Sequence, residues 1–132
     1  AAMAEGIVPG AGTAFLQIVE KVAATRATGD ARFGVQVVAD ALLEPTAQLA
    51  RNCGHDGPAV VAEVMEYEDL EMGFDGVKGK VVDLVKAGVV DPAKVLRVAL
   101  QNAASVAGLF LTSDTAITEL EKDEDAVEGA LV

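Results

Sequence analysis

The chain has 132 residues, 52% of them apolar, and carries 10 Lys and Arg against 21 Asp and Glu for a net charge of −11. A surface this acidic repels phosphate backbones and anionic lipid, which argues against nucleic acid and the membrane surface as partners. A mean hydropathy of +0.36 excludes a disordered chain, since such chains are too polar to offset their ordering entropy, and the length suits one domain or a piece of a larger one.

Residues 1–10 carry no basic stretch ahead of an apolar one, so no uncleaved signal peptide is expected. Gly10-Ala11-Gly12 then precedes Phe15, Leu16, Ile18, Val19, Val22 and Ala23 at helical spacing, which predicts a helix running to Thr25. A turn at Gly29-Asp30 leads to a second, longer helix starting at Ala31 or Arg32. Its apolar stripe is Phe33, Val37, Val38, Ala41 and Leu42, continued by Leu49 and Cys53. Pro45 lies inside this helix, removes a backbone donor, and should kink or split it near residues 42–44. Asn52-Cys53-Gly54 supplies a C-terminal stop, with Gly54 free to adopt positive φ. Cys53 is the only cysteine, which rules out an internal disulfide framework and fits a reducing compartment.

Pro58 opens a short helix whose apolar members are Val60, Val61, Val64 and Met65. Residues 63–75 then carry six acids and no base, with Gly73 and Gly76 at the end, so a loop or small hairpin is expected. Residues 80–87 read as two helical turns ending at Gly88. Asp91-Pro92 is the clearest helix start in the chain. Asp at the N-cap accepts hydrogen bonds from the first free amides, and Pro at the first helical position has the required φ and no donor to leave unpaired. The helix that follows, to about residue 109, places Val95, Ala99, Ala103 and Val106 on one side with Leu96, Leu100 and Ala107 beside them. Its second half is apolar nearly all round and is predicted to be buried on most sides. Its most apolar stretch, residues 103–111, contains Ser105 and is less than half the roughly 20 residues of a membrane span.

Residues 115–120 alternate in a β-prone pattern, which predicts one edge strand needing a partner in the hairpin or in another chain. From Glu119 onward, six acids and Lys122 make a solvated acidic tail. The only aromatic residues are Phe15, Phe33, Tyr67, Phe74 and Phe110, so the core must be built of Ala, Val and Leu. Such a core suits thin, closely packed helices or a surface completed by another chain. The expected fold is mainly α, with a small β hairpin and one C-terminal edge strand, divided into a body of residues 1–118 and a tail of 119–132. A soluble, intracellular chain is expected.

Few side chains suggest chemistry. Cys53 and His55 are the only thiol and imidazole, but at a helix end two positions apart they usually diverge, and no third group orients them. Cys53 is expected to be a buried small residue and His55 an exposed loop residue. No second Cys or His completes a zinc site. The acids of residues 63–75 lack the alternating oxygen ligands and central Gly of a calcium loop. Gly10-Ala11-Gly12 at a helix start offers amides that favour an anion such as phosphate, yet it lacks the Lys and Ser/Thr of a P-loop and serves equally as an ordinary glycine turn.

In combination these segments resemble something specific. Glu5-Gly6-Ile7-Val8-Pro9-Gly10-Ala11-Gly12-Thr13-Ala14, Asn52-Cys53-Gly54, Met72-Gly73-Phe74-Asp75, Gly88-Val89-Val90-Asp91-Pro92-Ala93-Lys94-Val95 and residues 99–108 resemble, in order, the C-terminal quarter of the large subunit of group I chaperonins, bacterial and organellar, plastid members included. The resemblance implies the C-terminal half of an equatorial domain, a helical module that binds ATP with Mg²⁺ and makes ring contacts in a protein-folding chamber. It further implies that Gly10, Ala11 and Gly12 stand where a family Gly-Gly-Gly turn approaches the nucleotide. Ala11 replaces the middle glycine, and its methyl group crowds a ligand or opposes positive φ. Asp75, Gly76 and Val77 correspond to a family Asn-Ala-Ala stretch that contacts adenine. There Asp75 loses the amide donor and adds charge. Asp91 matches the aspartate that binds the ribose.

By the same resemblance, the phosphate loop and the metal-binding and water-activating aspartates belong to upstream family segments. The 132 residues then carry about half of a nucleotide pocket, no catalytic residue and no metal ligand, and no hydrolysis is expected of them alone. The partners implied are other chaperonin segments or subunits, with strand 115–120 joining a neighbour's sheet. The alternative is a chaperonin-derived, non-catalytic structural subunit of a larger organellar assembly. The implied location is an organelle, plastid or mitochondrion, or the bacterial cytoplasm.

Overall fold

The structure is a computed structural model that describes residues 2–115, 117 and 118. Of the expected edge strand only Thr115, Ile117 and Thr118 are described, so that strand and the acidic tail lie outside the described residues. The chain divides into two units after Ala99.

The first unit opens with a single helical turn, α1 (Ala2–Glu5), and a short strand, β1 (Ile7–Pro9). The predicted helix after Gly12 is two short pieces, α2 (Thr13–Leu16) and α3 (Val19–Ala23). The break falls at Gln17 and Ile18, where the Ile18 amide turns back to the Phe15 carbonyl at 3.2 Å and the Gln17 side-chain amide donates to the Leu70 carbonyl. Pro45 acts as expected: the long helix is split into α4 (Ala31–Ala41) and α5 (Glu44–Asn52), with the proline in the first turn of the second piece, where a missing N–H costs nothing. Gly54 ends α5 in the left-handed region at φ 82°. The His55 amide bonds the Ala50 carbonyl and the Gly54 amide the Arg51 carbonyl, both at 2.9 Å, the pairing of a Schellman cap.

Helix α6 (Gly57–Met65) begins at Asp56, whose carboxylate accepts the Ala59 amide at 3.0 Å. The acidic stretch after it becomes a hairpin of β2 (Met72–Asp75) and β3 (Lys80–Asp83). The strands pair antiparallel, Phe74 opposite Val81 and Asp75 opposite Lys80. Half of the two helical turns expected over residues 80–87 is therefore strand, because β-branched Val81 and Val82 find cross-strand partners in β2. Helix α7 (Leu84–Ala87) follows, capped by Asp83 through the Lys86 amide at 2.9 Å and ending at Gly88.

Strand β4 (Val90–Pro92) pairs antiparallel with β1, Val8 facing Asp91 and Pro9 facing Val90. The Asp91-Pro92 helix start is thus displaced: α8 (Ala93–Leu111) begins after the proline, and the Ala93 amide donates to the Gly6 carbonyl at 3.1 Å. The sheet ladder takes the amide that a capping carboxylate would have served. Arg97 of α8 grips Glu5 with two hydrogen bonds, at 2.6 and 3.0 Å.

The core is as aromatic-poor as the composition requires. Leu16, Ala47, Ala50, Val60, Val61, Val64 and Phe74 form its buried cluster, with Leu43, Leu49 and Val81 packed against it. In α4 and α5 the buried seam is Ala39, Leu42, Thr46, Ala47 and Ala50. Phe33, Val37 and Val38 of the expected stripe are exposed. In the second unit, the apolar end of α8 is also exposed rather than buried, with Phe110 67% and Leu111 87% accessible. Apolar residues on all sides of a helix call for a cover that these residues do not supply. Among the described residues no helix is long and apolar enough to cross a membrane.

Candidate functional site

The Gly10-Ala11-Gly12 segment is a tight turn linking β1 to α2. The Thr13 amide donates to the Gly10 carbonyl at 3.0 Å, and both central residues have positive φ, Ala11 at 54° and Gly12 at 77° with ψ −4°. Those angles define a type I′ turn, the form that needs left-handed backbone at two successive positions. Ala11 is the only non-glycine residue with positive φ among the described residues. The expected conflict between its methyl group and this conformation is present in the fold.

The turn is packed tightly on two sides. A Cβ on Gly10 would stand 3.1 Å from the Val89 carbonyl oxygen, and one on Gly12 would stand 2.7 Å from Thr46 Oγ1 and 3.0 Å from the Thr46 nitrogen. Thr46 is fully buried, and its hydroxyl donates to the Ala11 carbonyl at 3.1 Å. Next to the turn, Thr13 Oγ1 is buried without a hydrogen-bond partner among the described residues and lies against Gly73 of β2.

Strand pairing brings Asp91 to this turn. The Gly10 amide donates to the Val89 carbonyl at 3.0 Å, directly after the β1–β4 ladder in which Val8 faces Asp91. The half-buried Asp91 and the glycine turn therefore share one corner of the fold. The third expected element sits elsewhere. Gly76 packs beside Cys53 and Leu49, at the opposite end of α5 from Thr46. Thr46 and the C-cap Cys53 are seven positions apart along α5, a rise of about 10 Å.

Asp75 is committed to its own loop. One carboxylate oxygen accepts the Val77 and Lys78 amides at 3.0 and 3.1 Å, and the other pairs with the Lys78 ammonium at 3.0 Å. The Lys78 side chain, with the two amides, holds the Asp75 carboxyl below its usual range despite burial. A carboxylate with both oxygens engaged has little left for a base, and Val77 beside it is fully exposed at 99%. The half-buried Asp91 is able to accept from ribose hydroxyls, whereas Gly10 is buried and only Ala11 and Gly12 of the turn are partly accessible.

Cys53 and His55 serve the hairpin. Cys53 is exposed rather than buried as expected, with its sulfur over Gly76, because the chain leaves α5 there and only the hairpin tip covers it. His55 is exposed and meets Phe74 edge-on, ring centroids 5.1 Å apart. Among the described residues no three His, Cys, Asp or Glu side chains gather as a metal site. A cleft of about 380 Å³ lies along α2 and the end of α6, but Glu20, Glu66, Glu68 and Asp69 line it and none of the expected site residues does. Four carboxylates make it unsuitable for phosphate. Thr46 was not apparent in the sequence, where it is one polar residue in a helix; only its contact with Ala11, 35 positions away, gives it a role.

The model of the TCP-1/cpn60 chaperonin family matches residues 1–120. The chain belongs to that family. It is 44% identical over 128 residues to the mitochondrial chaperonin CPN60-1 of Cucurbita maxima, an alignment that covers 96% of this chain and 22% of that protein. The structure superposes on a group III chaperonin in the open state with a TM-score of 0.78 and 31% identity, covering 88% of this chain and 25% of that one. It also resembles the open-state monomer of a group II chaperonin from Methanococcoides burtonii, TM-score 0.74 at 24% identity, over 81% of this chain and 28% of the other. The mainly helical architecture with small two-stranded sheets is thus a chaperonin architecture, and this chaperonin chain spans about a quarter of the length of its relatives.

Proposed function

We propose that this chain is the C-terminal part of the ATP-binding equatorial domain of a group I chaperonin subunit, and that it supplies one wall of the nucleotide pocket and part of the ring contacts used in protein folding. The observation that carries the proposal is the β1–β4 pairing, which joins the glycine turn and Asp91 in one corner. In this reading the turn backbone approaches the nucleotide and Asp91 accepts from the ribose hydroxyls. When bound with Mg²⁺, ATP would supply the energy of the folding cycle through its hydrolysis. This chain's own residues bind and orient, and none is assigned a proton-transfer role. The exposed end of α8 and the segment from residue 115 then face other segments or subunits of the chaperonin. The name of the pumpkin relative suggests a mitochondrial setting.

A second reading, a chaperonin-derived structural subunit of an organellar assembly that no longer uses nucleotide, is favoured by the engaged Asp75 carboxylate and by Ala11. Calorimetric titration of the 132-residue chain with Mg-ATP separates the two. The pocket reading expects weak binding, with Kd on the order of 1 mM, lost in Asp91→Ala. Absence of heat from a chain shown to be folded by circular dichroism refutes it in favour of the structural subunit.

A further inference from the structure

We propose that Thr46 is a positioning residue that latches the Gly10–Gly12 turn in its left-handed form. Thr46 engages the turn in two ways. Its hydroxyl, with no exposure to solvent, donates to the Ala11 carbonyl at 3.1 Å. Its backbone and hydroxyl also press on Gly12 so closely that an added Cβ would lie 2.7 Å from Oγ1. Both contacts fall on the two central residues of the turn, Ala11 and Gly12, whose φ is positive.

The need for such a latch follows from Ala11. Glycine holds a left-handed turn without strain, whereas alanine there prefers to relax to negative φ. A relaxing Ala11 would rotate its carbonyl away from Thr46 and break the 3.1 Å bond, leaving a buried hydroxyl and a carbonyl unpaired. Thr46 therefore sets a penalty on leaving the strained conformation. It sits in the first turn of α5, a helix anchored in the core by Ala47 and Ala50, so the latch is fixed to a rigid element.

The consequence for nucleotide binding rests on the pocket reading above, but the latch itself does not. The test is amide hydrogen exchange of the 132-residue chain in wild type, Thr46→Val, Thr46→Ser, Ala11→Gly and the Thr46→Val, Ala11→Gly double variant. Exchange of the Thr13 amide, which closes the turn, is expected to rise about tenfold in Thr46→Val. Amides of α6 should stay within about twofold, since local opening need not involve the whole core. Thr46→Ser should restore most of the protection, and in the Ala11→Gly background the Thr46→Val effect should shrink, because the two changes act on one strain. Unchanged Thr13 exchange in Thr46→Val, or an equal rise at every amide, overturns the latch. If Thr46→Val also fails to fold, Thr46→Ser decides: wild-type protection supports a hydroxyl latch, and lost protection with an intact fold contradicts it. Mg-ATP titration of the same proteins keeps the two ideas apart. Selective opening of the turn with no wild-type ATP binding upholds the latch and sinks the pocket reading.

Discussion

Ala11→Gly is the sharpest probe of the glycine turn. The substitution removes only a methyl group from a residue at φ 54°, in a type I′ turn closed by the 3.0 Å bond from Thr13 to Gly10. Holding alanine in the left-handed region costs about 1–2 kcal/mol. Glycine offsets part of the gain by loosening the unfolded chain, by about 0.4–1 kcal/mol. The net expectation is a stabilisation on the order of 1 kcal/mol, which in a chain of this size raises Tm by about 4 °C. Urea unfolding followed by circular dichroism measures it. The control is Ala62→Gly, exposed within α6, where the same change should cost roughly 0.5–1 kcal/mol. If Ala11→Gly destabilises the chain as Ala62→Gly does, the left-handed strain assigned to Ala11 is wrong.

Three further outcomes follow from the same geometry. Thr13→Val swaps the buried, unpartnered hydroxyl for a methyl group of similar size, and should stabilise the chain by about 1 kcal/mol in denaturant melts; a loss of stability would mean the hydroxyl has a partner. Asp56→Ala removes the cap of α6 and should cost about 1 kcal/mol, whereas Asp56→Asn should retain most of it; equal losses would contradict capping. Asp75 has its folded-state pKa lowered below the usual 3.8 by the Lys78 side chain and the turn amides. Its contribution is therefore complete above about pH 4 and is lost as pH falls through the lower folded value. The gap in urea midpoint between wild type and Asp75→Asn should shrink from pH 6 to pH 3, and a gap that widens on acidification refutes the assignment.

What was legible in the sequence depended on local chemistry. Pro45 announced the break between α4 and α5, and Gly54 announced the end of α5, because each acts on its own backbone. The Asp56-Gly57-Pro58 cap carries the same kind of local signal as Asp91-Pro92. What separates the two is long-range: β1 occupies the Ala93 amide through Gly6, and nothing near Asp91 in the chain reports that. Residues 80–83 read as helix for the same reason, since their strand conformation rests on pairing with β2. Apolar content correctly foresaw a core of small side chains. It could not foresee that Phe33, Val37 and the end of α8 are exposed, because a periodic stripe states what a helix would bury and not whether a cover is at hand.

The candidate site divides along the same line. The glycine turn was visible as composition and Asp91 as a family correspondence, but their meeting depends on the β1–β4 register. Asp75 was visible as a substitution, while its engagement by Lys78 needed the hairpin geometry.

The measurement that bears most directly on the account is amide chemical-shift mapping of the 132-residue chain during titration with Mg-ATP. If the chain supplies one wall of a nucleotide pocket, the shifts concentrate on Gly10, Ala11, Gly12 and Thr13 and on Val90 and Asp91, and Asp91→Ala abolishes them. Shifts confined to the hairpin tip or scattered over the surface, or a folded chain with none at all, would contradict it.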